Sequence, residues 1–377
     1  MIVKIGDVIS EYSVRNKFDE NIPVYSVTNE KGFCTGYFSK EVASKDKSTY
    51  KIVPRGYFAY NPSRINVGSV DWQKYEDRVI VSPLYVVFGV SDRLDRQYLL
   101  HYLKSDMMLS FIKEYATGSV RDNLKLADLG KFPINLRPVE EQRQIAVTLD
   151  KIDDLIAKRR QQLDKLDELV KSRFIELFGT VKENPYNFPT ATLKEICYKI
   201  TDGKHGGCEQ EANSGYYYIG AREIYDGVIH YDTAPQITYA DFAKDYRRCN
   251  IEQGDMVIVN TGATIGKSAI AVSPLTERTL LQKSVALLKV KTDMVSAEFL
   301  RYCYMANPSM YMVKSASAQP NLLLSKMNAT VIYLPPLELQ KQFAAFVTQT
   351  DKSKLAIQKS LEKLEILKKA LMQKYFG

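Results

Sequence analysis

The segment Thr261-Gly262-Ala263-Thr264-Ile265-Gly266-Lys267-Ser268 has the residue types of a phosphate cradle: two glycines, a lysine and a terminal hydroxyl after a strand-like run. Such a loop holds phosphate through backbone N–H groups and the lysine. Its spacing is one residue wrong, because Thr261 stands where the first glycine is needed. Residues Ala269 to Pro274 that follow are strand-like and stopped by proline, whereas phosphate binding wants a helix N-terminus aimed at the charge. A nucleotide-binding enzyme using residues 261–268 is therefore kept as an alternative reading only. Asn61-Pro62-Ser63 has part of the Asn-Pro-Pro-aromatic loop of amino-methyltransferases, without the second proline or the aromatic. Asp202-Gly203-Lys204 has the acidic-x-Lys form of a nuclease centre, but metal-dependent phosphodiester cleavage needs clustered carboxylates. Three histidines, at 101, 205 and 230, are too scattered for a Ser/His/Asp set, and five cysteines form no CxxC, which argues against a zinc cluster. No catalytic residue and no metal site are expected.

What these residues can do is recognise. Arg, Lys, Asn, Gln, Ser and Thr on loops present the donors and acceptors that match base edges in a DNA groove. In the first half of the chain the candidates are Arg55, Tyr60, Asn61, Ser63, Arg64, Arg121 and Asn123. In the second half they are Lys204, His205, Arg222, Asn260, Thr261, Thr264, Lys267, Gln319 and Asn321. The chain also holds 25 tyrosines mixed with polar loop residues, a composition suited to a polar recognition surface.

The elements that must position these loops are written twice. Between Glu140 and Gly179, apolar residues Ile145, Leu149, Ile152, Ile156, Leu163, Leu166, Val170 and Leu177 follow alternating steps of four and three, with Arg159 and Arg173 interrupting. This is coiled-coil spacing. The pattern returns 198 positions later, without a gap, as Phe343, Val347, Ile357, Leu361, Leu364, Leu371 and Tyr375, with Thr350, Lys354 and Lys368 as weak positions. Identities such as Pro138/Pro336, Glu140/Glu338, Gln142/Gln340, Leu163/Leu361 and Phe178/Phe376 support the match. A helix of about forty residues would be roughly 60 Å long, so its seam needs a cover, and the two helices are predicted to pair antiparallel.

Around them the chain divides into a first globular domain over 1–137, a central long helix over 138–179, a second globular domain over 180–334 and a C-terminal long helix over 335–377. Strands are predicted at Pro23–Thr28, Gly56–Tyr60 and Val79–Val90, with helices at Leu94–Lys104 and Met107–Tyr115. Parts recur in the same order in the second domain: Asp255–Asn260 matches Tyr57–Asn61, and Ala316–Leu322 matches Gly118–Leu124. The predicted fold class is α+β, a pseudo-two-fold tandem repeat of two similar globular domains joined by two long antiparallel helices that form a coiled coil.

A net charge of +8 permits contact with a polyanion without requiring it. No signal peptide or apolar run long enough to span a bilayer is visible, so a cytoplasmic location is expected. A coiled-coil scaffold without DNA affinity stays open as a second alternative.

Leu136-Arg137-Pro138-Val139-Glu140-Glu141-Gln142 and Leu334-Pro335-Pro336-Leu337-Glu338-Leu339-Gln340, each followed by Ala146 or Ala344 and a closing Phe-Gly, resemble the specificity subunit of type I restriction-modification systems. Thr201-Asp202-Gly203-Lys204-His205-Gly206, Gly262–Lys267 and Gln319-Pro320-Asn321-Leu322 resemble that family's target-recognition segments. The resemblance implies that each domain reads half of a bipartite target in double-stranded DNA, while the helix pair sets the spacer. It also implies a non-catalytic chain with no cofactor of its own, docking two methyltransferase (modification) subunits that carry S-adenosylmethionine and restriction subunits that use ATP and Mg.

Overall fold

The two sequence repeats become two helices of equal length, Val139–Phe178 and Leu337–Phe376, 40 residues each. Pro138 and Pro336 precede them and accept the first helical hydrogen bonds from Gln142 and Gln340, a position where proline's missing N–H costs nothing. Gly179 ends the first helix at φ +72°, a left-handed turn that glycine adopts without strain. The computed structural model describes residues 1–36, 46–116, 123–180, 183–307, 310 and 321–377. Two compact units result: Met1–Gln161 with Gln358–Gly377, and Gln162–Ile357.

In the first unit, strands Ile9–Glu11, Val86–Val90, Phe58–Tyr60 and Val70–Trp72 form an antiparallel sheet in that order. The alternation of side chains places Phe58 and Phe88 on one face, stacked with ring centroids 5.0 Å apart, over helix Arg96–Leu103. Asp95 caps that helix by accepting from Gln97 and Tyr98 N–H. Ile145, Ala146 and Leu149 of the first long helix enter the same core. So does Phe376 of the second long helix, 5.1 Å from Tyr98 and 5.6 Å from Tyr102. Asp153 pairs with Lys368, and Arg160 with Glu365 at 2.8 Å. Numbers rise along one helix as they fall along the other, so the two run antiparallel here.

The second unit repeats the plan. Its sheet runs Cys197–Asp202, Val285–Val290, Met256–Val259, Ser268–Ile270, and helix Ala297–Ala306 is capped by Ser296. Phe174 and Phe178 pack on Phe343 at 5.4 and 5.5 Å, and Asp167 pairs with Lys354. The helices are again antiparallel. Helix Tyr239–Cys249, begun by Thr238 and stopped by left-handed Asn250, lies near the sheet's Cys197–Asp202 edge.

The α+β class and the tandem repeat are therefore as expected. Two details differ. Val79–Val90 is two strands, Arg78–Val81 and Val86–Val90, because Ser82-Pro83 starts a turn in which Tyr85 N–H donates to the Ser82 carbonyl. At the end of the first long helix, Phe174 and Phe178 are fully buried, while Leu177 is only half-buried. These last turns pack on the second unit's Phe299 and Tyr302 as well as on the partner helix, so the seven-residue pattern no longer selects the buried face.

Each helix start is fixed by a buried amide. Gln142 Oε1 accepts from Asp95 N–H at 2.8 Å, and its Nε2 donates to the carbonyls of Arg93 and Arg137. Gln340 does the same with Ser296 N–H and the carbonyls of Met294 and Pro335. Both side chains are wholly buried. Gln142→Ala and Gln340→Ala should each lower unfolding free energy by roughly 1–3 kcal/mol, as expected when buried groups lose their partner. Denaturant titration checks this, and a loss under about 0.5 kcal/mol would show that the amide is dispensable.

Candidate nucleic-acid interface

In the first unit the hairpin between Phe58–Tyr60 and Val70–Trp72 ends in a turn carrying Asn61, Ser63 and Arg64. Asn61 Oδ1 accepts from Ser63 N–H at 3.1 Å, a side chain setting the turn from within. Ser63 Oγ donates to Asn123 Oδ1 at 2.7 Å, and Leu124 N–H donates to the Pro62 carbonyl. Asn61, Ser63, Arg64 and Asn123 are thus gathered at one end of the sheet. A pocket of about 40 Å³ beside them is lined by Thr28, Asn29, Asn61, Arg64 and Tyr85 among others.

Two of the expected reading residues are elsewhere. Tyr60 is fully buried, its hydroxyl donating to the Leu124 carbonyl at 3.0 Å, and burial pushes its phenol well above the usual range. It is a core strut, since a strand residue facing the Phe88 side of the sheet cannot also meet a ligand. Arg55 sits at the opposite end of the hairpin, bonded to the Tyr75 and Glu76 carbonyls and 3.3 Å from Asp77. Arg121 lies outside the described residues.

The second unit builds the same junction. Thr261 Oγ1 donates to Asn321 Oδ1 at 3.3 Å, and Leu322 N–H donates to the Asn260 carbonyl at 2.7 Å. Residues 63, 123, 62 and 124 thereby reappear as 261, 321, 260 and 322. Asn260 itself is 4% exposed; of this set Lys267 and Asn321 are exposed and Thr261 and Thr264 half-buried. Gln319 lies outside the described residues. The turn from Thr261 to Lys267 joins antiparallel strands Met256–Val259 and Ser268–Ile270, with Gly262 and Gly266 at φ +101° and +90°. A strand follows it where a phosphate loop would start a helix, so the nucleotide-binding alternative lacks its central element.

Lys204 is not free to read. Its ammonium is 2.7 Å from Asp245 and 3.8 Å from Asp241, and the hydrogen bond to Asp245 raises its pKa. His205 is exposed and contacts Asp202 at 3.0 Å. Arg248 grips the same loop, donating to the Asp202 carboxylate and to the carbonyls of Asp202 and Gly203. Gly203 is required because a Cβ there would lie 2.2 Å from the Leu281 carbonyl oxygen. The glycine-rich loop is thus buttoned to helix Tyr239–Cys249. Sequence reading missed Asp241, Asp245 and Arg248, whose only signal was charge at helical spacing. Arg222 is exposed on the turn after strand Tyr217–Ile219.

Two copies of one α+β plan, each ending in a polar turn clasped to a downstream asparagine, define a tandem recognition protein. Residues 2–168 and 185–368 match the family described as Type I restriction modification DNA specificity domain, and the chain belongs to that family. It is 26% identical over 299 residues to the Type I restriction enzyme MjaVIII specificity subunit of Methanocaldococcus jannaschii, covering 74% of this chain and 69% of that one. The MjaIX specificity subunit of the same organism is 24% identical over 303 residues, covering 75% and 68%. Specificity subunits are non-catalytic. The fold is similar to the crystal structure of a type I restriction-modification S subunit from M. genitalium, with TM-score 0.59 and 17% identity over 100% of this chain and 96% of that one. A structure described under complex assembly and conformational transition of the type I R-M system gives TM-score 0.57 at 18% identity, covering 100% and 97%. Among the described residues no helix is long and apolar enough to cross a membrane.

Burial alone would raise the Asp202 carboxyl, but hydrogen bonds and charge from Arg248 and His205 outweigh it and hold the group below its ordinary value of 3.8. A depressed folded pKa stabilises above the unfolded value and fades as pH falls through the folded one. The stability gap between wild type and Asp202→Asn should therefore be largest near neutrality and shrink below about pH 4. Denaturation across that range checks it, and a gap independent of pH would mean that the carboxylate charge is not what holds the loop.

Proposed function

We propose that this chain is the DNA-recognition subunit of a type I restriction-modification complex, and that each head reads one half of a bipartite duplex target. The observation that carries this is the repeated clasp, Ser63 on Asn123 and Thr261 on Asn321, which offers the same scaffold with different neighbours. Around the first clasp lie Asn61 and Arg64; around the second lie Thr264 and Lys267. Two related heads with different outward chemistry suit two different half-sites. Family membership supports the same reading.

On this reading the helix pair sets the spacer and docks two modification subunits, and restriction subunits join the assembly. This chain binds no cofactor; S-adenosylmethionine, ATP and Mg belong to its partners. The complex works in the cytoplasm, where its DNA is. The experiment is to co-express the chain with its modification partner and map methylated adenines across a genome, which should return one bipartite motif.

Thr261→Ala or Asn321→Ala should relax the second half of that motif, and Ser63→Ala or Asn123→Ala the first, by roughly 1–3 kcal/mol of discrimination at the affected base pair. Equal loss in both halves would contradict independent readers. Removing seven residues, two turns, from each long helix at facing positions keeps the seam in register. The spacer should change while the half-sites persist; an unchanged spacer in a folded variant would rule out the helices as its ruler.

A further inference from the structure

In each head the connection that leads into the second strand of the main sheet lies beside the clasp. In the first head it is Ser82-Pro83-Leu84-Tyr85, between Arg78–Val81 and Val86–Val90; in the second it is Gln282-Lys283-Ser284, between Thr279–Leu281 and Val285–Val290. Val86 lies opposite Tyr60 as Ala286 lies opposite Ile258, so Leu84 takes the place of Ser284 and Lys283 stands one residue before it in the same connection. Leu84 and Lys283 are both exposed, Leu84 to 80%.

Their backbones are tied to the residues already singled out. Asn260 N–H donates to the Ser284 carbonyl at 3.0 Å, and Lys283 N–H donates to the Lys204 carbonyl at 3.0 Å. Lys204 N–H donates to the Leu281 carbonyl, and Gln282 N–H to the Ile219 carbonyl beside the Arg222 turn. This connection therefore joins the buttoned glycine loop, the Arg222 turn and the Thr261 turn. In the first head Tyr85 lines the pocket shared with Asn61 and Arg64, and Leu84 is held by N–H donation to Ser82 Oγ and by the adjoining proline.

An exposed leucine is ordinary by itself. Here it stands next to Tyr85, which lines the pocket with Asn61 and Arg64, in the same connection that carries exposed Lys283 in the other head. We infer that this connection is a base-reading element in both heads, in which Leu84 meets a thymine methyl in the first half-site and Lys283 meets a guanine edge in the second. Leucine has no donor or acceptor, so among base edges in the major groove the C5-methyl of thymine is its one complementary feature; lysine fits the O6/N7 acceptors of guanine. The inference rests on the proposed DNA-reading function.

The test uses the assembled complex with its modification partner, for wild type, Leu84→Ala, Lys283→Ala, and Ser63→Ala and Thr261→Ala as references. Binding is measured to the mapped target, to single-base variants, and to targets with uracil replacing thymine in one half-site. Uracil in the first half-site should weaken wild-type binding about fourfold, the fold-change equivalent to ~0.8 kcal/mol for one buried carbon, and should leave Leu84→Ala almost unaffected. Lys283→Ala should lose discrimination at one guanine of the second half-site and nowhere else. If uracil makes no difference, or if Lys283→Ala weakens all sequences alike with a shallower salt dependence, as a phosphate contact would, the inference falls. Should the reference variants relax their half-sites while Leu84→Ala and Lys283→Ala do not, this element is excluded and the parent reading stands. A wild-type complex with no bipartite motif would instead overturn the parent reading. Unchanged melting of both variants separates these outcomes from misfolding.

Discussion

A buried primary amide can stay in a protein interior only if its donors and acceptor are matched. Gln142 and Gln340 meet that condition by tying three backbone points together: the N-terminus of a core helix, the loop before it and the residue entering a long helix. Each head is thereby joined to its long helix by geometry as well as by apolar packing. The candidate turns are at the far reach of a sheet whose position follows from that joint, so the direction in which they present Ser63 or Thr261 depends on it.

Beyond the shared joint the heads use different means to hold their loops. The first is anchored through Asn61, which shapes its own turn, and through the hydroxyl of Tyr60 beneath it. The second uses a helix, Tyr239–Cys249, whose Asp241, Asp245 and Arg248 clamp the Asp202–His205 loop. Those charges are close, and several are largely shielded from solvent, which makes their geometry more definite than that of surface ion pairs. One scaffold can in this way carry unlike surfaces, because the sheet supplies position and the inserted parts supply chemistry.

The long helices were legible because their period is physical: apolar residues at steps of three and four must face one side, and a 198-residue echo in the same phase leaves little else to be said. The identity of Gln142 with Gln340 was equally plain in the sequence, yet its meaning lies in partners some forty residues away that no spacing rule reaches. Tyr60 and Asn260 were misjudged for a related reason. Polar or amphipathic residues at a strand end look available, and only the packing of Leu124 and Leu322 against those ends shows that they are covered. Lys204 had the appearance of a free cation until its carboxylates, contributed by a helix some forty positions away, came into view.

Phe376 packs against Tyr98 and Tyr102 in a core whose other buried residues lie between 5 and 149. The head that leaves the ribosome first must therefore wait, its aromatic pocket incomplete, until the far repeat has been translated and has folded back onto it. Long sequence separation between contacting groups slows closure, and an interior left open during synthesis is prone to unwanted association. The tandem design thus makes completion of the first head's core wait for synthesis of the second.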